Sequence, residues 1–133
     1  MIHAVADTHA VIWYLFDQPR LSARASSVFT EAVETGDQIA VSSITFVEIV
    51  YLVEKGRIPA TTLERLDNEL QKPDAVLIEV FVDLQISKTM AAVSRNAVPD
   101  MPDRIIAATA LHLGVPLISR DRRIQLSAVE TVW

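Results

Sequence analysis

Short apolar runs alternate along the chain with segments of helical periodicity. The apolar runs predict strands at Ile2–Ala6, Gln38–Ser42, Ala75–Val80, Val115–Ile118 and Ala128–Val132. The segments between them predict helices at Thr8–Phe16, Ala23–Glu34, Ser43–Glu54, Leu84–Ser94 and Pro102–Leu113, and another from a Thr61-x-x-Glu64 capping box to about Gln71. Strands that alternate with helices are typical of a parallel sheet. The pattern therefore predicts a three-layer α/β/α, Rossmann-like fold with about five strands, and we expect residues 1–133 to form one domain.

Four acidic residues occupy positions that such a fold brings together. Asp7 ends the first predicted strand, Asp121 closely follows a later strand, Asp103 opens a helix, and Glu48 lies on the apolar stripe of another helix. Ligands of an open parallel sheet bind at the carboxyl ends of its strands. Carboxylates collected there would repel one another unless a divalent cation neutralised them, and oxygen-only ligands suit Mg²⁺ or Mn²⁺. The placement predicts a metal-dependent hydrolase of phosphodiesters.

Each acid also has a simpler explanation. Asp7 or Thr8 could merely cap the helix that follows, and Glu48 could be a rim residue whose stem packs while its carboxylate reaches water. Asp100 competes with Asp103, because either could cap the helix near Pro102 while the other binds metal. The joint placement of the acids, rather than any one of them, carries the prediction.

The segment around Asp121 combines an acid, a hydroxyl and several arginines. Ser119 could hold a catalytic water by hydrogen bonding, as could Thr8 near the first strand. Arg104, Arg120 and Arg122 lie close to the acids in sequence and could contact a nucleic-acid backbone.

Composition modifies this interpretation only slightly. The net charge of -5 weighs mildly against a nucleic-acid ligand, although bound cations would reverse the local sign. The chain has no cysteine, which excludes disulfides and thiolate metal sites. No signal peptide and no apolar stretch near 20 residues is visible, so we expect a cytoplasmic protein that does not enter the membrane.

Hydrophobic residues make up 50% of the chain, and this slight surplus suggests a surface for self-association or for a partner. We expect a partner helix to lie between Ala23–Glu34 and Ser43–Glu54, which offer apolar groups beyond one core-facing stripe: Val28, Phe29, Phe46 and Tyr51.

Several short motifs resemble one known family in their order along nearly the whole chain. They are Val5-Ala6-Asp7-Thr8, Ser42-Ser43-Ile44 with Glu48, the run from Asp103 to Ala110, and Leu117-Ile118-Ser119-Arg120-Asp121. The chain resembles the PIN domain and, within it, the small ribonuclease toxins of the VapC type. The resemblance implies that Asp7, Glu48, Asp103 and Asp121 bind Mg²⁺ or Mn²⁺ in an enzyme that cuts single-stranded regions of RNA. It also implies a homodimer and a small antitoxin protein that blocks the site.

Two other classes of function remain open at this stage. One is a metal-dependent DNA nuclease or phosphatase on the same scaffold, although a phosphatase would usually carry an Asp-x-Asp nucleophile that Asp7-Thr8-His9 lacks. The other is a non-catalytic interaction module whose acids serve only as caps. Metal-dependent cleavage of RNA by the purified protein separates these classes.

Overall fold

The protein forms one parallel β-sheet with helices packed around it. The computed structural model describes residues 1–125 and 127–133, and the following bounds refer to them. The strands are β1 (Ile2–Ala6), β2 (Gln38–Ser42), β3 (Leu77–Val80), β4 (Leu117–Ile118) and β5 (Thr131–Val132). The α-helices are α1 (Thr8–Leu15), α2 (Ala23–Thr35), α3 (Ser43–Glu54), α4 (Thr62–Gln71), α5 (Leu84–Thr89), α6 (Met101–Leu113) and α7 (Arg122–Gln125), and Met90–Ala92 forms a 3₁₀ turn.

The strand order is β3-β2-β1-β4-β5, and every neighbouring pair is parallel. Because the chain leaves β1 first toward β2 and later returns to β4 on its other side, the order reverses beside β1. Such a reversal opens a crevice at the carboxyl ends of the strands. The predicted three-layer α/β/α fold with a five-stranded parallel sheet is therefore confirmed.

Two apolar clusters cover opposite faces of the sheet. Alternate residues of β1 divide between them: Ala4 and Ala6 belong to one cluster and Val5 belongs to the other. Helices α1 to α4 contribute to the first cluster, and α5 and α6 contribute to the second. The central strands are buried on both faces, which explains why their sequences are continuously apolar rather than alternating.

The helix boundaries mostly follow local capping chemistry. Ser22 caps α2, which ends at Gly36 with φ of +73°, a left-handed conformation that favours glycine. The predicted capping box at Thr61 is wrong, because Thr61 makes no side-chain cap and the neighbouring Thr62 hydroxyl donates to the Pro59 carbonyl at 2.6 Å. The predicted helix Leu84–Ser94 is shorter, since α5 ends at Thr89 and tightens into the 3₁₀ turn.

No helix in the described ranges is both long enough and apolar enough to cross a bilayer.

Candidate active site

The carboxyl end of β1 places Asp7 at the reversal of strand order. The Asp7 backbone N–H donates to the Ile118 carbonyl at 3.1 Å, which joins the ends of β1 and β4. One carboxylate oxygen of Asp7 accepts from the Ala10 N–H at 2.9 Å, so Asp7 also caps α1. Its side chain is only 9% exposed. The capping contact therefore holds the Asp7 carboxylate at the edge of the sheet. It is compatible with a functional role for this carboxylate at that position.

Glu48 reaches the same edge from α3 and is held by a threonine. The Thr8 hydroxyl donates to Glu48 Oε1 at 2.5 Å and lies 3.0 Å from the Thr45 hydroxyl. Thr8 and Thr45 are both buried, whereas Glu48 is half-buried. This contact ties α1 to α3 and orients the Glu48 carboxylate beside Asp7.

Asp100 and Asp103 lie together at the start of α6 but have different contacts. Asp100 is the N-cap residue, and its carboxylate accepts from the Asp103 N–H at 3.1 Å. Asp100 therefore makes the capping contact. The Asp103 carboxylate is half-buried and does not cap the helix.

Asp121 follows β4 and Ser119. The buried Ser119 hydroxyl accepts from the Asp121 N–H at 3.0 Å. The Asp121 carboxylate in turn accepts from the Arg123 N–H at 2.8 Å and so caps the short helix α7. These two contacts shape the loop that carries Asp121 to the sheet edge.

A cleft of about 340 Å³ collects these acids. Its lining comprises Asp7, His9, Trp13, Glu48, Asp100, Asp103, Arg120 and Asp121. The four acids predicted from the sequence, and the competing Asp100, therefore lie around one space.

The cleft disfavours ionisation of its carboxylates. Burial, followed by the negative charges of Asp100, Asp121, Glu48 and Asp7, raises the pKa of Asp103 to about 7. Burial also raises the pKa of Asp7, against the opposing effect of hydrogen bonding to the Ser119 side chain and the Ala10 N–H. Raised pKa values at buried, clustered carboxylates are typical of functional sites.

Burial also raises the pKa of Glu48, even though the Thr8 hydroxyl donates to this carboxylate. Several partly desolvated carboxylates with only oxygen donors form a ligand set that suits Mg²⁺ or Mn²⁺. Across residues 1–125 and 127–133, however, no group of three or more acidic or histidine side chains is already arranged to hold a metal ion.

Two residues of the cleft lining were not among the predicted site residues. The exposed His9 lines the cleft, and Trp13 lies one helical turn later on the same face of α1. Their spacing of four residues on a helix was the available signal. Arg120, expected as a backbone contact, also lines the cleft.

Arg104, named above as a possible contact to a nucleic-acid backbone, makes two hydrogen bonds within the protein. Its guanidinium donates to the Val93 and Met90 carbonyls, both at 2.9 Å. Arg104 thereby ties α6 to the end of the 3₁₀ turn.

The predicted partner groove between α2 and α3 is wrong in its location. Phe29 is 1% exposed and Val28 is also buried, so both belong to the core, whereas Tyr51 on α3 is 61% exposed. A groove of about 890 Å³ lies instead beside α4 and the edge strand β3, with Phe46 of α3 in its wall.

Comparison with known proteins identifies the family. The family model described as PIN domain matches residues 4–130. The chain belongs to the PIN domain family. It is 30% identical over 125 residues, 94% of this chain and 92% of the relative, to Ribonuclease VapC22 of Mycobacterium tuberculosis (strain ATCC 25618 / H37Rv).

Solved structures share the PIN fold at lower sequence identity. VapBC2 from Rickettsia felis, bound to a DNA fragment from its promoter, superposes with a TM-score of 0.71 at 15% identity, covering 98% of this chain and 97% of the other. A toxin–antitoxin complex from Klebsiella pneumoniae gives a TM-score of 0.65 at 24% identity, covering 98% and 96%. The resemblance noted from the sequence motifs is confirmed.

Proposed function

We propose that the protein is a divalent-metal-dependent endoribonuclease of the VapC type that cleaves single-stranded regions of RNA. The observation that carries the proposal is the convergence of five carboxylates on one cleft at the strand ends of a PIN domain. The 30% identity to a ribonuclease over 94% of the chain supports the same reaction class.

The roles of the acids follow from their contacts. Asp7 and Asp103 are the proposed principal ligands of Mg²⁺ or Mn²⁺, and Glu48 and Asp121 bind directly or through water. When bound, the cation supplies Lewis-acid chemistry, which activates water and stabilises negative charge on phosphoryl oxygens. Thr8 holds the Glu48 carboxylate, and Ser119 supports the loop of Asp121. Asp100 fixes the start of α6 and thereby places Asp103.

The preference for single strands is supported by a ring side chain in the lining of the cleft. The exposed His9 ring lies there beside the carboxylates. Proteins commonly contact unpaired bases with rings of this kind, whereas bases stacked in a duplex are not available for such contacts.

Cleavage by the purified protein tests this function. We expect a labelled single-stranded RNA to be cut in Mg²⁺ or Mn²⁺ and to stay intact in a chelator. Glu48→Gln should lose most of the activity, while Glu54→Gln, an exposed acid at the end of the same helix, should keep it. Preferential cutting of single-stranded DNA, release of phosphate from monoesters, or no cleavage would instead support the DNA nuclease, phosphatase or non-catalytic alternative, respectively.

We also propose that a small antitoxin regulates the enzyme. The structural neighbours are toxin–antitoxin assemblies, although at these identities they establish only a shared fold. The groove beside α4 offers the partner an apolar lining: Phe46, Leu63, Leu66, Leu70, Leu77 and Ile78. The acids Glu64, Asp67 and Glu79 on the same groove would favour a basic amphipathic helix.

A homodimer is the proposed assembly of the free chain. Its support is an exposed apolar stripe on α3, where Val47 is 52%, Val50 43% and Tyr51 61% exposed. Sedimentation at micromolar concentration should give the mass of two chains, and Tyr51→Ser should shift the equilibrium toward the monomer. A wild-type monomer at these concentrations would remove this part of the proposal.

A further inference from the structure

The lining of the acidic cleft also contains an arginine positioned over an indole ring. The Arg120 guanidinium carbon lies 4.7 Å from the centroid of the Trp13 ring. Arginine commonly stacks on tryptophan because the ring face is electron-rich and the guanidinium is planar and cationic. This arrangement is a second structural element of the cleft, distinct from the acid cluster.

The indole that supports Arg120 is firmly placed. Trp13 is only 6% exposed and lies on α1, the helix that Asp7 caps. The Trp133 ring packs edge-on against it, with centroids 5.7 Å apart, and the centroid of the exposed His9 ring lies 5.6 Å from that of Trp13. Since one helix carries both Trp13 and the cap contact of Asp7, the indole and this carboxylate have a fixed relation.

Among the described residues, Arg120 has no hydrogen-bond partner for its guanidinium. Although it lies in a cleft with five carboxylates, its side chain makes no salt bridge or hydrogen bond with any residue in the described part of the chain. The contrast with Arg104 is direct, because that guanidinium is committed to two backbone carbonyls. Arg120 therefore presents donors toward solvent at the mouth of the cleft.

RNA faces an electrostatic difficulty at this cleft. Five carboxylates and a net charge of -5 repel a polyanion. A bound cation would neutralise the position of the scissile phosphate, but neighbouring phosphates would still approach a negative surface. A guanidinium with free donors is the protein group best suited to hold such a phosphate, often through two parallel hydrogen bonds.

We propose that Arg120, held in place by the Trp13 ring, binds a phosphate of the RNA strand that flanks the cleaved one. This inference rests on the proposed ribonuclease function and adds a substrate subsite to it. Arg120 contacts the substrate, and Trp13 acts as a positioning residue that restricts where the guanidinium can lie.

Binding of an RNA that is not cut tests the subsite without relying on turnover. The probe is a fluorescent single-stranded RNA of 12 nucleotides, titrated with Asp7→Asn protein in Mg²⁺ over a range of salt concentrations. Added to that background, Arg120→Gln should weaken binding about fivefold at 0.1 M salt. It should also reduce the slope of log K against log salt by about 0.7, the contribution of one phosphate contact on a single strand.

Matched variants distinguish the effect of the position of Arg120 from the effect of the net charge of the protein. Arg24→Gln on α2 removes the same charge far from the cleft and should leave both the affinity and the slope near the background values. Arg120→Lys should keep the slope but recover only part of the affinity, because lysine lacks the planar fork. Trp13→Phe should weaken binding at an unchanged slope, a result that a purely structural role for Trp13 would not produce in protein that remains folded.

Kinetics of the otherwise wild-type enzyme complete the test. A flanking contact binds substrate and transition state alike, so Arg120→Gln should raise KM with little change in kcat. Equal affinity and slope for Arg120→Gln and Arg24→Gln would overturn the subsite while leaving the ribonuclease function in place. A wild-type chain that neither binds nor cleaves RNA would overturn the proposed function itself, and with it the subsite.

Discussion

Two depressions on the described surface of this protein differ in chemistry as much as in size. The groove beside α4 and β3 has a volume of about 890 Å³ and a mainly apolar lining, and its acids Glu64, Asp67 and Glu79 are exposed to water. The cleft at the strand ends is smaller, about 340 Å³, and draws five carboxylates together. Two of them illustrate the contrast: Asp7 is almost fully buried and Asp103 is half-buried.

The difference indicates where the chemistry lies. Burying an uncompensated charge is costly, so acids beside an apolar surface normally extend into solvent, as those of the groove do. The cleft instead holds desolvated carboxylates against mutual repulsion, a cost that a bound cation would offset. Desolvated charge, rather than volume, therefore marks the candidate active site, and the larger groove has the character of a surface for a partner helix.

Removing one acid from each depression gives the largest expected contrast. Asp103→Asn should reduce RNA cleavage by more than the roughly 10–100-fold that is typical of outer-shell partners of a metal site. Asp67→Asn, the same change in the groove, should leave the rate unchanged. Steady-state rates at saturating Mg²⁺ measure both. Comparable losses in the two variants would mean that the cleft acids act only through folding or net charge.

Removing the hydrogen bond that orients the Glu48 carboxylate should lower the cleavage rate by a smaller factor. Thr8→Val removes the hydroxyl that orients Glu48 and should cost roughly 10–100-fold in cleavage rate. Thr45→Val removes the neighbouring hydroxyl but keeps the bond from Thr8 to Glu48, so it should remain close to wild type in rate. Both substitutions disturb a buried contact, and thermal melts should confirm that each protein is folded under the assay conditions. Equal rates in the two variants would show that the orientation of Glu48 is immaterial.

Substitutions in the groove beside α4 should change the affinity for a partner rather than the cleavage rate. Leu63 is 38% exposed within it, and Leu63→Ser should weaken binding of a cognate antitoxin about tenfold, or ~1.4 kcal/mol. Leu84→Ser changes a residue that is 65% exposed and lies outside the groove, and it should not affect this affinity. Calorimetric titration with the co-expressed small protein from the same operon measures both. A loss confined to Leu84→Ser would place the partner elsewhere.

A separate effect concerns the pH dependence of stability in metal-free protein. The pKa of Asp103 is about 7 in the folded state against an ordinary value of 3.8, so the folded chain binds more protons than the unfolded chain between these limits. The free energy of unfolding should therefore fall as pH rises from about 4 through 7. Asp7 and Glu48 act in the same direction.

Denaturant melts from pH 5 to 8 test this dependence. Asp103→Asn should flatten the fall in stability, whereas Asp74→Asn, an exposed acid, should preserve it. A wild-type protein whose stability rises with pH across this range would contradict the assignment of desolvated carboxylates to the cleft.

Much of the fold was predictable because it depends on local patterns. The boundaries of β1, β2 and α3 were predicted to the residue, since apolar runs and serine caps mark them. Strand β3 begins two residues later than predicted, at Leu77, because pairing with β2 rather than composition determines its length. The helix from Leu84 ends at Thr89, and the carbonyls of Met90 and Val93 that follow it accept from Arg104, a residue distant in sequence.

The gathering of the acids was predictable for another reason, because parallel topology alone brings strand ends together. Their detailed contacts were not. The sequence favoured Asp103 as the metal-site acid but left Asp100 in competition with it, and only the folded structure assigns the capping contact to Asp100. The wall formed by Trp13 and Arg120 joins α1 to the loop after β4, a pairing that no local pattern contains.

The most direct test of the central claim, that the cleft is a divalent-metal site, is the melting temperature with and without Mn²⁺. A ligand that binds only the folded state at ten times its Kd adds about 1.4 kcal/mol, which corresponds to a rise of roughly 4–7 °C for a domain of this size. We expect that rise in the wild-type protein and its loss when Asp7→Asn and Asp103→Asn are combined. The same rise in the wild-type protein and the double variant would contradict the account, because the cation would then bind elsewhere.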